Sequence, residues 1–208
     1  QQDYELITKK LNVTLSVIRS LEDQGVLEIQ EEETFRNPVH YQKKESGPLT
    51  HTPEQQVAID TFWKDYSQGH YGTYLVYGVT GSGKTEVYIE MINRVVSQGK
   101  QAIMLIPEIA LTYQTVMRFY ARFGNRVSIL NSRLSQGERY DQFKRAKRGE
   151  VQVMVGPRSA LFTPFFNLGL IVIDEEHEPT YKSENTPRYH ARETAIQRAR
   201  MEHANVVM

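Results

Sequence analysis

The stretch Gly78-Val79-Thr80-Gly81-Ser82-Gly83-Lys84-Thr85 fits the pattern G-x-x-x-x-G-K-[ST] at every fixed position. Glycines let such a loop turn its backbone N–H groups inward around phosphate oxygens, with torsions that a Cβ resists. Lys84 adds a point charge for β and γ phosphates, and the Thr85 hydroxyl is a ligand for Mg²⁺. The helix opening near Lys84 directs its positive end at the same anion. A chance glycine loop accounts poorly for the context, because the apolar strand Tyr74-Leu75-Val76-Tyr77 precedes the motif and a helical pattern, Glu86 to Ile92, follows it.

A second group completes the chemistry. The apolar run Leu170-Ile171-Val172-Ile173 ends in Asp174-Glu175-Glu176-His177. A carboxylate at the C-terminal end of a buried parallel strand faces the crevice in which open α/β sheets bind ligands. Asp174 is expected to hold Mg²⁺ directly or through water, and Glu175 to orient the water that attacks a γ-phosphate. An acidic surface turn explains these residues equally well alone, but not beside a phosphate loop. Gln55 lies one helical turn after Thr52, where its amide could read an adenine edge with one donor and one acceptor. His177, directly after the acids, is expected to sense the site.

These side chains need a scaffold. Thr52-Pro53 reads as an N-cap followed by proline at the first helical position, opening a helix to about Tyr66. Further strands are expected at Ala102–Ile106, Val127–Leu130 and Val151–Val155, with an apolar run again at residues 204–208. Helices lie between most of them, one opened by the capping box of Ser135 and Glu138. The alternation predicts an α/β domain with a parallel sheet covered by helices on both faces. Before it, Ile7, Leu11, Val17, Ile18 and Leu21 sit at helical spacings around a break at residues 12–14. Gly25 closes the second helix, residues 26–29 read as a strand and residues 30–37 as a wing. We therefore expect a winged helix over residues 1–40, a linker over 41–51 and the α/β domain over 52–208.

Composition limits the classes. The chain has 208 residues, 39% hydrophobic and 24% charged, with 25 basic and 25 acidic side chains. It can bury a core and is not disordered by composition. The absence of cysteine excludes disulfide scaffolds, thiolate-bound metals and thiol nucleophiles within it. No apolar run approaches the ~20 residues that span a bilayer. Neutrality hides two unlike parts: residues 3–33 carry eight acids against three cations, whereas residues 118–148 carry nine cations against two acids. The latter is a candidate nucleic-acid face, with solvated helix faces as the plainer explanation. The acidity of the former argues against duplex reading by the exposed face Ser16, Arg19, Ser20 and Asp23.

The motif blocks resemble superfamily 2 helicases of the DEAH-like kind. The resemblance narrows to the PriA family of bacterial primosomal replication-restart helicases. It rests on residues 78–88, on Ile106-Pro-Glu-Ile-Ala-Leu-Thr112, on Arg133 to Arg139, on Arg158-Ser-Ala-Leu-Phe162, on Asp174 to Glu178 and on Pro187 to Arg192. It implies a RecA-like first motor lobe preceded by a winged helix, ATP with Mg²⁺, and a cytoplasmic bacterial enzyme that unwinds DNA 3′-to-5′. It further implies that Gln55 contacts adenine, that residues 78–85 cradle the phosphates, and that Pro107, Glu108, Thr112, Arg158 and Ser159 meet single-stranded DNA. Tyr181, Lys182, Arg188 and Tyr189 fall in an aromatic-rich loop that couples DNA to hydrolysis, a loop whose rings and cations suit stacking on any base. Asn131 and Pro157 depart from the pattern, which has histidine and threonine there. The implied partners are single-stranded and forked DNA, primosome proteins and single-strand-binding protein, with no membrane. A second lobe carrying an arginine finger is expected after residue 208, so that this fragment alone hydrolyses ATP poorly. Two rivals share the same residues: a P-loop ATPase that remodels protein, and a winged-helix regulator with a nucleotide-sensing domain.

Overall fold

The computed structural model describes residue 10 and residues 12–28, 50–79 and 81–208. The chain divides into two compact units, Gln1–Thr34 and Phe35–Met208. In the first, helix α1 (Leu15–Asp23) buries Ile18 and exposes Ser16, Arg19, Ser20 and Asp23. Gly25, with φ of +71°, donates to the Glu22 carbonyl while Val26 donates to that of Leu21. This pair of bonds is the Schellman closure expected of a C′ glycine. Val26–Glu28 form no strand, and Ile7, Leu11, Ile29 and the expected wing lie outside the described residues, as does most of the expected linker.

The second unit is a six-stranded sheet in which every pair is parallel. Its strands are β1 (Thr73–Tyr74), β2 (Gln101–Leu105), β3 (Val127–Ile129), β4 (Val153–Gly156), β5 (Leu168–Ile173) and β6 (Asn205–Val207), in spatial order β1-β6-β5-β2-β4-β3. The helices are α2 (Pro53–Ser67), α3 (Lys84–Ser97), α4 (Tyr113–Phe123), α5 (Gln136–Lys147) and α6 (Ala191–Glu202). Both expected capping devices form: Thr52 and Gln55 cap α2 reciprocally, and Ser135 and Glu138 cap α5.

The central strands read as unbroken apolar runs because helices cover both faces, and alternate side chains divide between two cores. Ala102, Met104, Leu170 and Val172 join α2, α3 and α4 on one face. Ile103, Leu105, Ile171 and Ile173 join α5 and α6 on the other. Ala191, Ala195 and Ala199 recur every four residues, a stripe that lets α6 lie close on the sheet. Gly156 serves the same close packing, since a Cβ there would stand 2.9 Å from both the Cβ and the carbonyl oxygen of Leu130.

Two expectations change. The strand read over residues 74–77 ends at Tyr74, and Leu75 and Tyr77 are exposed, although the Val76 N–H still donates to the Met208 carbonyl. The basic run of residues 118–148 is not one open face. Arg122 pairs with Glu90 at 2.9 Å and Arg118 with Glu86 at 3.5 Å, so part of α4 is tied to α3. Arg145 is buried and donates to Gln142 and to the Asn125 carbonyl, while Lys144 lies over the Tyr140 ring. No helix among the described residues is long and apolar enough to cross a membrane.

Candidate nucleotide and nucleic-acid site

Parallel strands bring every chemical loop to one edge of the sheet. After β1 comes the phosphate loop, and Gly83, at φ of +79°, is the N-cap of α3. Its left-handed torsion favours glycine, and a Cβ, standing 2.5 Å from Gln55 Nε2, would push that amide aside. Gln55 Nε2 donates to the Ser82 carbonyl at 2.9 Å, while its Oε1 accepts from the Thr52 N–H at 3.0 Å. The cap of α2 therefore braces the phosphate loop. One amide hydrogen and one lone pair of Gln55 remain for a base edge. Lys84 Nζ donates to the carbonyls of Gly78 and Val79 at 2.7 and 3.0 Å, which holds the ammonium across the mouth of its own loop. Val79 is exposed and Thr80 lies outside the described residues.

Asp174 follows β5, two places from β1 in the sheet, with β6 between them. Burial pushes its carboxyl above the usual range, the Glu175 charge adds to the rise, and the Glu175 N–H and the Lys84 ammonium oppose it. The Lys84 charge is thus felt at Asp174. Two tyrosines wall this carboxylate. Tyr88, one turn after Lys84 on α3, and Tyr181 are both fully buried, and burial together with the Asp174 charge pushes both phenols up. Tyr181 also donates its hydroxyl to the Asp174 carbonyl at 2.7 Å. Glu175 has φ of +48°, a left-handed torsion that costs a β-carbon residue on the order of 1–3 kcal/mol. Its N–H donates to Asp174 Oδ1, and Glu176 pairs with Arg192 at 3.0 Å, so the turn is fixed on both sides. His177 is exposed.

Further along the same edge lies a cleft of about 310 Å³, lined by the loops after β2, β3, β4 and β5. It gathers Pro107, Glu108, Arg158, Ser159 and Tyr181 from the expected set, together with Asn131, Ser132, Arg139 and Thr180. Arg158 donates to the carbonyls of Thr180 and Lys182 at 2.6 and 3.2 Å, and Tyr189 packs edge-on against Phe162. Thr112 does not line the cleft; its hydroxyl caps α4 by accepting from the Thr115 N–H. Tyr181 is buried beneath the loop and offers no stacking face, whereas Lys182 and Arg188 are exposed and Tyr189 is half-buried.

Residues 52–207 match the DEAD/DEAH box helicase family. The chain belongs to that family. It is 45% identical over 205 residues to the replication restart protein PriA of Bacillus subtilis, covering 97% of this chain and 25% of that protein. It is 44% identical to PriA of Chlamydia pneumoniae, covering 94% of this chain and 26% of that one. The resemblance read from the motif blocks is thus borne out, and the chain spans about a quarter of the length of these curated relatives. Among solved structures, RecG bound to a three-way DNA junction superposes with a TM-score of 0.57 at 22% identity, covering 77% of this chain and 21% of that one. The UvsW helicase from bacteriophage T4 gives 0.53 at 13% identity, covering 93% and 68%. At such identities these two support the RecA-like α/β fold alone.

The helicase lobe also uses residues that sequence reasoning passed over. Thr180 acts through its backbone carbonyl, which leaves no signature in residue type, and Ser132 through its backbone N–H as well as its hydroxyl. Tyr88 carried a usable signal, a tyrosine four residues after the phosphate-loop lysine and so on the same helix face.

Proposed function

We propose that this chain is the ATP-binding first motor lobe of a 3′-to-5′ DNA helicase of replication restart and primosome assembly, preceded by a winged helix. The observation that carries the reading is the convergence of a braced phosphate loop and the Asp174–Glu175 turn on one sheet edge, after strands that only β6 separates. In this reading the backbone of residues 78–85 and the Lys84 ammonium hold the phosphates of ATP. Lys84 exchanges its two carbonyl partners for phosphate oxygens, a gain because hydrogen bonds between ions are the stronger ones. Thr85 and Asp174 would hold Mg²⁺, which would supply positive charge against the phosphates. A half-buried carboxylate such as Asp174 suits this cation, which commonly uses only one or two protein carboxylates. Glu175, held in its strained turn, accepts the proton of the attacking water. Gln55 spends its remaining donor and acceptor on the adenine edge, and His177 reports on the γ-phosphate position.

The cleft then receives a single strand, with Pro107, Glu108, Arg158 and Ser159 along its backbone and Lys182, Arg188 and Tyr189 at its rim, while Thr112 acts from outside the cleft by capping α4. Forked DNA, primosome proteins and single-strand-binding protein are the partners that the motif resemblance implies. The motor lobe is assigned to residues 52–208, the winged helix to 1–40 and the linker to 41–51. An arginine finger from a second lobe completes the transition-state charge, so the isolated chain should bind nucleotide and hydrolyse it poorly. Nucleotide binding by titration calorimetry, with and without a single-stranded oligonucleotide, tests the whole. A helicase lobe shows affinity that depends on Lys84 and shifts with DNA. A protein remodeller shows the first without the second, and a winged-helix regulator binds duplex with Lys84 removed.

A further inference from the structure

The turn after β3 points three consecutive backbone N–H groups at side-chain oxygens. Those of Arg133 and Leu134 go to Oδ1 of Asn131, a neutral and local acceptor. That of Ser132 goes to Glu108 Oε1 at 2.6 Å, from a residue 24 positions earlier on a different strand's loop. A neutral acceptor would also satisfy this N–H, though less strongly. Glu108 instead brings a full negative charge into a cleft whose cationic walls are Arg139 and Arg158. The Ser132 hydroxyl and N–H, with Arg133 and Arg139 nearby, hold the Glu108 carboxyl below its usual range, so it stays ionised at neutral pH. Carboxylate and phosphate oxygens compete for the same donors.

We propose that Glu108 is an internal competitor for a phosphate position in this cleft, occupying the Ser132 N–H and the field of Arg133 and Arg139 and so limiting how tightly the lobe holds a single strand. The inference rests on the DNA reading of the cleft but reverses the role that the motif resemblance gives this residue, from contact to counterweight. The competitor is weak by construction. Glu108 is exposed, and charge pairs in water are screened and lose side-chain entropy when fixed, so an incoming phosphate displaces the carboxylate at modest cost. The expected consequence is fast exchange of successive phosphates, which suits a motor that must release each one.

Glu108→Gln isolates the charge, because the amide oxygen still accepts from Ser132. Anisotropy of a labelled oligothymidylate with the 208-residue chain should show about fivefold tighter binding at low salt, the gap closing as salt rises. Arg139→Gln should weaken binding more in the Glu108→Gln background than in the wild type, since Glu108 no longer offsets Arg139 there. Equal or weaker binding by Glu108→Gln, with unchanged thermal melting, overturns the proposal. If neither protein binds DNA while both still bind nucleotide, the DNA reading of the cleft fails first and carries this inference with it. Tighter binding that persists unchanged at high salt also overturns it, because a purely steric effect of the substitution would behave that way.

Discussion

The two ends of the sheet edge are built differently. At the nucleotide end, eight consecutive residues carry most of the chemistry, and the brace on them comes from a single helix cap. At the cleft end, the lining comes from four loops separated by tens of residues, and the decisive atoms are backbone carbonyls and N–H groups. A site made from one contiguous segment is written in residue types. A site made from the register of parallel strands is written in the topology, and only the fold brings it together.

Substitutions can break this contrast, and the largest effect belongs to the contiguous end. Lys84→Ala should lower nucleotide affinity about 10- to 150-fold by loss of charge-assisted bonds, measured by titration calorimetry, and leave DNA affinity unchanged. A matching fall in DNA affinity would show that the ends are one energetic unit. At the cleft end the largest effect should be on folding. Gly156→Ala, whose Cβ meets Leu130 at 2.9 Å, should cost about 1–3 kcal/mol in denaturant unfolding.

Gln55→Ala should cost about 0.5–1.5 kcal/mol through the lost side-chain half of the α2 capping box, the Thr52 hydroxyl still accepting from the residue 55 N–H, and weaken nucleotide binding as well, because the same amide holds the Ser82 carbonyl. A stability loss without an affinity loss would separate the brace from the loop. The smallest shift is expected at Asp174. Its folded carboxyl binds protons more tightly than the unfolded one, so its contribution to stability is full below the unfolded value near 3.8 and fades as pH rises through the higher folded value. Asp174→Asn should therefore melt about 2–4 °C higher at neutral pH without nucleotide, with the difference vanishing in acid, while Mg²⁺-dependent nucleotide stabilisation is lost.

Legibility followed the same divide. The phosphate loop, the Asp174 turn, the Thr52 N-cap, the Ser135–Glu138 capping box and the parallel alternation were all readable, because each depends on residues within one helical turn or one strand of each other. Gln55 was readable as a candidate, but its grip on Ser82 was not, since that needs the approach of α2 to the loop. The basic run misled because charge says nothing of direction: Arg145 faces inward to Gln142, and Arg118 and Arg122 face α3. Tyr181 misled for a related reason. An aromatic between polar neighbours suits a stacking surface and a buried plug alike, and only the fold placed its hydroxyl on the Asp174 carbonyl.

The position of β6 has a consequence for synthesis. The strand that separates β1 from β5 is made last, and the Asn205 side chain that receives the Gly72 N–H lies 133 residues downstream of it. At about 5–20 residues per second, the β1 segment waits roughly 7–27 s on the ribosome before its neighbour exists. Through that interval the phosphate loop is complete in sequence yet unsupported on its inner side. Until then the brace available to the loop is the one from α2, which emerges before it.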